Sequence, residues 1–383
     1  MTARTNSPDS LGDIEATRAS GTKRIKVLHF VTGGFSGATQ VALDLCLASL
    51  QSERIEAALV LRRKRTTDDA RVQALRDKGL QVWVLPGWSH LATIWVLRQL
   101  CLQWRPQVLV AHGFPEHLLG RWAGLWAGVK ALVQVEHNSR ERYSWWRLTQ
   151  ARWLSQRSTR LIGVSEGVKQ RLLQMGMPPE KTMAIPNGID LARYEGATQQ
   201  DFLQRQPDLV MSARFARQKD QPSLIRALGL LKAQGLSPKL YLAGSGKASY
   251  RAAAQTLVSE LGLQEQVVFL GHHGDMPGLL MSQQIFVLST HYEGMPLALV
   301  EAMAAGCACV ASLVPGVEGV LEDGVNGLLV PESDPPALAQ ALARLLKSPA
   351  YAAELGRQAR QRALQAHGRE LMTRRYEDLL ASL

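Results

Sequence analysis

Two glutamates eight positions apart offer the clearest chemistry in this sequence. Glu293 is followed by Gly294, which lets the backbone turn and approach a ligand, and by Pro296, which suits the first residue of a helix. Glu301 lies in the helix-forming run 297–305. Because the free N–H groups at a helix start bind anions, this order predicts a ligand with a hydroxyl-rich end, a diphosphate and a second hydroxyl-rich part.

The spacing of the two carboxylates argues against glycoside hydrolysis. The carboxylates of a retaining hydrolase lie about 5 Å apart, whereas Pro296 to Glu301 alone spans about 7.5 Å of helix rise. Two separate contacts to hydroxyl groups therefore fit Glu293 and Glu301 better than an acid and a nucleophile. The structural alternative is a loop followed by a helix with a chance surface glutamate.

Short apolar runs that alternate with helical patterns must position these residues. Such runs are typical of parallel sheets covered on both faces, and the series restarts near Leu209. The sequence therefore predicts an α/β fold of two doubly wound, Rossmann-like domains with a ligand site in the cleft between them. The predicted strands are 26–31, 57–61, 82–85, 108–111, 132–135, 161–164, 183–185, 209–212, 240–243, 267–270, 285–288, 309–311 and 328–330. The predicted helices include 41–50, 224–234, 252–261 and 336–346.

Positive charge and tryptophan are concentrated in the first half of the 383 residues. Residues 1–200 hold 27 Lys and Arg against 16 Asp and Glu, residues 201–383 hold 17 of each, and all nine Trp lie between Trp83 and Trp153. An anionic membrane, an anionic lipid-linked acceptor and nucleic acid are compatible partners, although no motif that reads nucleic acid is present. The alternative is a solvated basic surface with tryptophan as core filler.

Cysteine spacing and hydropathy argue against several other classes. Four cysteines without zinc spacing, and no His, Asp or Glu cluster at ligand spacing, predict no metal site. Residues 1–24 are polar and lack the apolar stretch of a signal peptide, and no run reaches the roughly 18 apolar residues of a membrane helix. We therefore expect a cytoplasmic protein with a flexible N-terminal tail.

Glycine loops follow two of the predicted strands. Gly33 and Gly34 stand at a strand-to-helix turn, where backbone N–H groups face a phosphate or sugar. Gly244 opens a partial dinucleotide-binding pattern after the strand 240–243. A simple tight turn is the alternative for each loop, and it is the favoured one for Gly244 alone.

Two cations follow the strand 209–212. Arg214 and Lys219 are predicted at the mouth of the second domain, where guanidinium and ammonium groups suit phosphate oxygens. A diphosphate there would need them, because Glu293 would repel it. The alternative is a salt bridge of Lys219 with Asp220 or Glu293.

Histidines end two strands of the first domain. The strand 132–135 leads to His137 and Asn138 on the cleft side, where His137 could contact a sugar hydroxyl or transfer a proton. His112 ends the previous strand in a similar place and is interpreted as an ordinary hydrogen-bonded residue. These three residues are the candidates on the acceptor side.

Together these residues resemble the family-4 retaining glycosyltransferases, which use nucleotide sugars and have the GT-B two-domain fold. The resemblance covers roughly residues 25–383, and it rests on the order and spacing of the motifs. The first loop departs from the commoner Gly-Gly-x-Glu pattern. The motifs are Gly33-Gly34, Glu136-His137-Asn138, Val164-Ser165, Pro186-Asn187-Gly188-Ile189-Asp190, Ser212-Ala213-Arg214, Lys219-Asp220, Ala243-Gly244-Ser245-Gly246, Glu293-Gly294-Met295-Pro296 and Glu301-Ala302-Met303-Ala304.

The resemblance implies roles for the matching residues. Glu293 would contact the donor sugar near its anomeric carbon, and Glu301 would bind the ribose hydroxyls. Arg214 and Lys219 would hold the diphosphate, and His137 would lie near the reacting sugar. Further donor-binding residues are Gly33, Gly34, Gly244, Gly294, Met295, Pro296 and Leu297.

The resemblance also implies an organisation and an activity. We expect an acceptor-side domain at 25–195, a donor-binding domain at 196–365 and, at 366–383, a helix that crosses back to the first domain. The expected reaction is retaining transfer of a sugar from a nucleoside diphosphate sugar to a glycan or lipid-linked acceptor in cell-surface polysaccharide or glycolipid synthesis, with no required cofactor. Peripheral contact with an anionic membrane is a separate hypothesis.

Two alternatives to the transferase stay open at this stage. A sugar-nucleotide epimerase or phosphorylase would use the same fold, and a catalytically idle binding partner would keep the fold without the reaction. The presence of Glu293, Arg214, Lys219 and Glu301 together argues against an idle copy.

Overall fold

The computed structural model describes residues 24–140, 143–198 and 201–383. All but the last residue of the predicted tail 1–24, and Gln199-Gln200 near the predicted boundary between the two domains, lie outside the described residues. All thirteen predicted strands are confirmed, most of them one to three residues longer than predicted. They are β1 (Ile25–Thr32), β2 (Ile55–Arg62), β3 (Val82–Leu85), β4 (Val108–His112), β5 (Ala131–Glu136), β6 (Arg160–Gly163), β7 (Thr182–Ala184), β8 (Gln206–Ser212), β9 (Leu240–Ala243), β10 (Val267–Gly271), β11 (Gln283–Leu288), β12 (Ala308–Ser312) and β13 (Leu328–Val330).

The strands form two separate parallel sheets, as the alternation of apolar runs and helices predicts. The first sheet has the order β3-β2-β1-β4-β5-β6-β7, and the second has the order β10-β9-β8-β11-β12-β13. The strand order reverses between β1 and β4 in the first sheet and between β8 and β11 in the second. These are the points at which open parallel sheets bind ligands.

The described part of the chain has thirteen α-helices, of which ten connect strands and the last three follow β13. The four predicted helices are confirmed, but three begin three or four residues earlier, because their polar first turns carry no apolar periodicity. The helices are α1 (Gly37–Ser49), α2 (Asp69–Asp77), α3 (His90–Trp104), α4 (Glu116–Trp126), α5 (Trp145–Arg157), α6 (Glu166–Gln174), α7 (Gln221–Ala233), α8 (Ala248–Glu260), α9 (Met276–Ser282), α10 (Leu297–Ala304), α11 (Pro335–Lys347), α12 (Pro349–Ala366) and α13 (Arg369–Ala381).

One apolar core runs through both sheets. It includes Val133 of the first sheet and Phe286 of the second, and Met295 between them, all at most 7% exposed. The last helix, α13, packs on α1 of the first sheet, where Glu377 accepts a hydrogen bond from the Ser52 hydroxyl at 2.5 Å. The four domain bounds proposed from the sequence stay a prediction.

Among the described residues, no helix combines the length and the apolar character that crossing a bilayer demands.

Candidate active site

A cavity of about 300 Å³ lies between the carboxyl ends of the two sheets. We call it the interdomain cavity. Its walls come from the loops after β1, β4, β5 and β7 on one side and after β8 and β11 on the other, so both topological switch points face it. It is lined by Thr32, Ser36, Gly37, Ala38, His112, Gly113, Phe114, Glu116, His137, Asn138, Asn187, Arg214, Gln218, Glu293, Gly294, Met295 and Leu297.

Glu293 is held by three neighbours at the wall of this cavity. Lys219 forms an ion pair with its Oε1, and the Thr290 hydroxyl donates to the same oxygen at 2.9 Å. Gln218 donates from Nε2 to the other oxygen, Oε2, at 3.3 Å. The salt bridge considered from the sequence for Lys219 is therefore present, and Lys219 itself does not line the cavity. The carboxylate is fixed in place and lies beside a cation.

The loop from Glu293 into α10 has the predicted order, with one correction. Pro296 is not the first helical residue, because its ψ of 98° is extended and the helix begins at Leu297. Leu297 lines the cavity, so the free N–H groups of the first turn of α10 lie at its edge. Pro296 itself does not line it. The anion site predicted from the sequence thus has a helix start at the expected place.

The loop after β8 places Arg214 in the cavity wall. Its guanidinium is exposed, whereas the neighbouring glycine loop packs behind it and is not part of the cavity wall. A Cβ at Gly244 would lie 2.2 Å from the Ala213 carbonyl oxygen, and the φ of Gly244 is +136°. Gly244 therefore lets the two loops pack closely and does not line the cavity, in line with the tight-turn alternative.

Glu301 lies outside the cavity wall, at a half-buried position on α10. Burial is the main cause that raises the pKa of its carboxyl, and Arg193 acts in the opposite direction. Glu301 and Glu293 thus have different charged neighbours, Arg193 and Lys219. This agrees with two separate contacts.

Three histidines form a hydrogen-bonded row from the core to the cavity. His29 Nδ1 lies 3.0 Å from His112 Nε2, and His112 Nδ1 lies 3.2 Å from His137 Nε2. Burial lowers the pKa of both His29 and His137 to about 3, and burial is also the main cause that lowers the pKa of His112. The row is therefore neutral near pH 7, and His112 orients His137 through Nδ1 while its Nε2 contacts His29.

Two buried polar atoms of the cavity lack a hydrogen-bond partner among the described residues. They are His137 Nδ1 and Asn187 Oδ1. An unpaired buried polar group costs about 1–3 kcal/mol, which a hydroxyl-rich ligand would offset. Asn187 was not a candidate from the sequence, although it lies in the Pro-Asn-Gly motif of the resemblance. Asn138 lines the cavity as predicted.

The first glycine loop contacts the cavity one turn later than predicted. Gly33 packs under the end of β2, where a Cβ would lie 2.8 Å from the Arg62 carbonyl oxygen. Neither Gly33 nor Gly34 lines the cavity, whereas Ser36 and the first turn of α1 do. The sequence signal for this contact with the cavity was the start of α1 itself, since the polar first turn of a helix supplies free N–H groups.

The charged residue Glu116 was also missed from the sequence. It is 1% exposed, and it pairs with Arg62 at 2.7 Å beneath the cavity wall. Gln218, which holds Glu293, was likewise missed. Neither Glu116 nor Gln218 stands at a motif spacing that would mark it in the sequence. Each reaches the site from a turn, and the path of that turn depends on the rest of the fold.

The two halves of the cavity touch each other. The Ser165 hydroxyl donates to the Gly294 carbonyl oxygen at 2.6 Å, and the Asn187 N–H lies 3.0 Å from Met295 Sδ. A Cβ at Gly294 would lie 1.9 Å from the His137 carbonyl oxygen. Only glycine allows this approach, which brings the loop of Glu293 against the loop of His137. Within the described residues, no group of three His, Cys, Asp or Glu side chains is placed to hold a metal ion.

Two family models match consecutive parts of the chain. Residues 35–193 match "Glycosyltransferase Family 4", and residues 197–362 match "Glycosyl transferases group 1". The chain belongs to glycosyltransferase family 4. The glycosyltransferase and its GT-B fold, implied by the motifs, are thereby confirmed.

Curated relatives of this glycosyltransferase include enzymes of bacterial polysaccharide synthesis. An Escherichia coli UDP-Gal:alpha-D-GlcNAc-diphosphoundecaprenol alpha-1,3-galactosyltransferase is 26% identical over 62% of this chain and 66% of its own length. The putative glycosyltransferase EpsD of Bacillus subtilis is 29% identical over 56% of this chain and 58% of its own length. The putative colanic acid biosynthesis glycosyltransferase WcaL of Escherichia coli K12 is 28% identical over 64% of this chain and 63% of its own length. The chain thus spans less than two thirds of these relatives' length.

Solved structures share the whole fold. HepE of Anabaena, solved in complex with UDP-glucose, has a TM-score of 0.81 at 23% identity, over 94% of this chain and all of that one. A sucrose-phosphate synthase from Thermosynechococcus elongatus has a TM-score of 0.73 at 18% identity, over 94% of this chain and all of that one. At these identities the likeness shows the fold alone.

Proposed function

We propose that this glycosyltransferase moves a sugar, with retention, from a nucleoside diphosphate sugar to a glycan or lipid-linked acceptor. The observation that carries the proposal is the interdomain cavity, where Glu293, Arg214 and the start of α10 face His137 and Asn138. A carboxylate, a cation and a helix N-terminus suit the sugar and diphosphate of such a donor. HepE binds UDP-glucose on the same fold, which supports this donor class.

The second domain would bind the donor. Arg214 and the first turn of α10 would hold the diphosphate, with Lys219 beside it, and Glu293 would contact the sugar near its anomeric carbon. Glu301 would take the ribose hydroxyls, because a half-buried carboxylate on α10 suits paired hydroxyl donors. Charge that develops on the departing diphosphate would be stabilised by Arg214, Lys219 and the α10 N–H groups.

The first domain would present the acceptor. His137, oriented by His112, and Asn138 face the cavity from β5, and the start of α1 lies beside them. Front-face substitution, in which the leaving diphosphate accepts the proton of the acceptor hydroxyl, fits the site because Glu293 is engaged by Lys219 and Thr290. Contact between the two halves would exclude water during the reaction.

The proposed setting is cell-surface polysaccharide or glycolipid synthesis. The relatives named for lipid-diphosphate and colanic acid substrates support it. We place the protein in the cytoplasm with peripheral contact to an anionic membrane, and without a required cofactor or metal. Sedimentation with anionic vesicles at low salt tests the membrane contact, and no sedimentation would contradict it.

The stereochemical course can be read directly. Transfer from an α-linked nucleotide sugar should give an α-linked product. Glu293→Gln should slow transfer by about 30- to 1000-fold, since this substitution weakens contacts near the reacting carbon. Proton NMR of the product's anomeric signal, followed from the start of the reaction, measures the course. A β-linked first product would overturn retention, and an epimer formed from donor alone would favour the epimerase.

A further inference from the structure

Most of the nine tryptophans of the first domain are not core filler. None of them is fully buried, and six are between 41% and 84% exposed. Exposed apolar side chains of this size are uncommon unless they mark a binding surface. Trp83, Trp104 and Trp122 pack against the core, so tryptophan as core filler, the alternative stated from the sequence, holds for these three and not for the six exposed residues. The six exposed residues are Trp88, Trp95, Trp126, Trp145, Trp146 and Trp153.

Three helices build an apolar groove from some of these side chains. The groove has a volume of about 610 Å³ and runs between α3, α4 and α5. Its wall is stiffened by Trp122, which stacks on Trp153 with ring centres 5.0 Å apart and an angle of 21° between the rings. We call it the tryptophan groove, and its apolar wall includes Leu91, Ile94, Trp122, Trp126, Trp146 and Trp153.

The tryptophan groove begins where the interdomain cavity ends. Pro115 lines the groove, while its neighbours Phe114 and Glu116 line the cavity. Arg147, at the end of the groove, lies 5.3 Å from the centre of the Phe114 ring. Only the turn before α4 separates the tryptophan groove from the interdomain cavity. This turn lies on the side of the cavity that the first domain forms.

Positive charge gathers at this junction. Glu116 is paired with Arg62 at 2.7 Å, and Lys64 lies 3.9 Å from the same carboxylate, so one carboxylate faces two cations there. The exposed guanidinium of Arg147 adds a third. Burial is the main cause that lowers the pKa of His90 beside these residues, and the charges of Arg62 and Arg147 lower it further. The lowered pKa favours the neutral ring, which adds no charge to the junction. An anion at the junction would meet a net positive surface.

We propose that the tryptophan groove binds the isoprenoid or alkyl chain of a lipid phosphate acceptor, with the phosphate at Arg147 and Lys64 and the head in the interdomain cavity. This rests on the proposed function and narrows its acceptor to the lipid-linked class. The concave shape between α3, α4 and α5 favours a single chain over a flat bilayer, and the two most exposed tryptophans, Trp88 and Trp145, lie outside the groove. A protein partner is left as an outcome of the test.

Binding of a short soluble analogue tests the groove. Farnesyl diphosphate, kept below its micelle-forming concentration, is titrated into the full-length protein by calorimetry, with inorganic diphosphate and farnesol as separate titrants. We expect saturable binding of farnesyl diphosphate that is at least about tenfold tighter than that of inorganic diphosphate, because the chain adds buried apolar area.

Neighbouring tryptophans provide a matched pair of variants. Trp146→Ser should weaken farnesyl diphosphate by about tenfold, since Trp146 lines the groove, while Trp145→Ser should stay within about twofold. Leu91→Ala, at a 76% exposed position on α3, serves as a second groove variant if Trp146→Ser folds poorly.

The outcomes separate this inference from the proposed function. The inference is overturned if farnesyl and inorganic diphosphate bind equally, or if Trp145→Ser weakens binding as much as Trp146→Ser, as surface adsorption to a membrane or protein face would require. Thermal shift with nucleotide sugars on the same samples reads the donor site independently. Loss of donor binding alone would contradict the proposed function and leave the result for the groove standing.

Discussion

Glu293 shows how one residue serves both stability and the proposed chemistry. Its side chain is 7% exposed and that of Lys219 is 13% exposed, so the pair is largely removed from water. Such a pair is costly to break from one side, because the remaining charge stays buried. The same contact keeps the carboxylate in one position at the cavity wall.

Lys219→Met should therefore destabilise the protein by about 3 kcal/mol. Adding Glu293→Gln to that variant should cost less than the sum of the two single changes, because no unpaired charge then remains. Urea unfolding of the four proteins measures this. Arg63→Met is the matched control, since its ion pair with Asp69 is 49% and 69% exposed and should contribute little to stability. Equal losses for the two basic residues would contradict the prediction.

Arg214 is the cation most open to a ligand. Arg214→Ala should lower kcat by about 30- to 1000-fold through loss of one charge contact to the departing diphosphate. The unfolding free energy should change little, because the guanidinium is exposed. Steady-state kinetics with the correct donor provide the measurement. Arg226→Ala, at an exposed position on α7, should leave kcat within about twofold, and an equal loss in both variants would count against the assignment.

At the residue scale, the sequence predicts those cavity residues whose type and place at a strand end coincide. Arg214, Glu293, His137 and Asn138 all lie in the wall. Gln218 could not be predicted, since it enters the site through the turn after β8 and has no chemical signature of its own. Its role follows from a contact with Glu293, which only the folded loop creates.

At the scale of elements, the loop before α10 joins the two sheets. Gly294 has space for no side chain, because the carbonyl of His137 occupies the position a Cβ would take. The hydroxyl of Ser165 then fixes the Gly294 carbonyl from the first domain. This loop therefore carries the proposed donor contacts and the contact between the domains together.

Gly294→Ala should separate the two halves of the cavity without unfolding either sheet. We expect kcat to fall by about 100-fold, as a displacement of about 1 Å from the reacting geometry would produce. Gly274→Ala is the control, since a Cβ there meets no atom within 4 Å and the residue has an ordinary φ. Thermal unfolding and kinetics of both variants measure the effect. Normal activity of Gly294→Ala would show that this contact is dispensable.

The elements themselves were predictable because their signals are local. Buried strands are short apolar runs, so all thirteen could be located, and the start of α10 was misplaced only by one residue at Pro296. The tryptophan groove could not be predicted, because its wall is shared among three helices. Along α5 alone, Trp145, Trp146 and Leu148 are not separated from the arginines, and the groove appears only when α3 and α4 pack beside it.

At the scale of the molecule, a neutral polar network lies inside the first domain. His29, His112 and His117 are buried and His137 is half-buried, and burial is the main cause that lowers the pKa of each. The folded protein therefore binds fewer protons than the unfolded chain below the ordinary histidine pKa of 6.5. The free energy of unfolding must then fall as the pH falls through that value.

Acid should destabilise the protein from about pH 6.5 downward, by up to about 1.4 kcal/mol per pH unit for each buried histidine. Urea unfolding at about pH 7 and about pH 5 measures the slope. His29→Gln should reduce this slope of the unfolding free energy against pH by the contribution of one histidine, because one proton-linked group is removed. An unchanged slope in that variant would show that His29 is not buried in its neutral form.

The central claim is that the interdomain cavity binds a nucleoside diphosphate sugar. The most direct measurement is a thermal-shift panel of nucleotide sugars on the wild-type protein and on Arg214→Ala, with Arg226→Ala as control. One donor should raise the wild-type and control Tm by a few degrees, as binding at well above Kd does, and the shift should be lost in Arg214→Ala. If no nucleotide sugar shifts the wild-type Tm, or if Arg214→Ala responds as fully as the control, the account is contradicted.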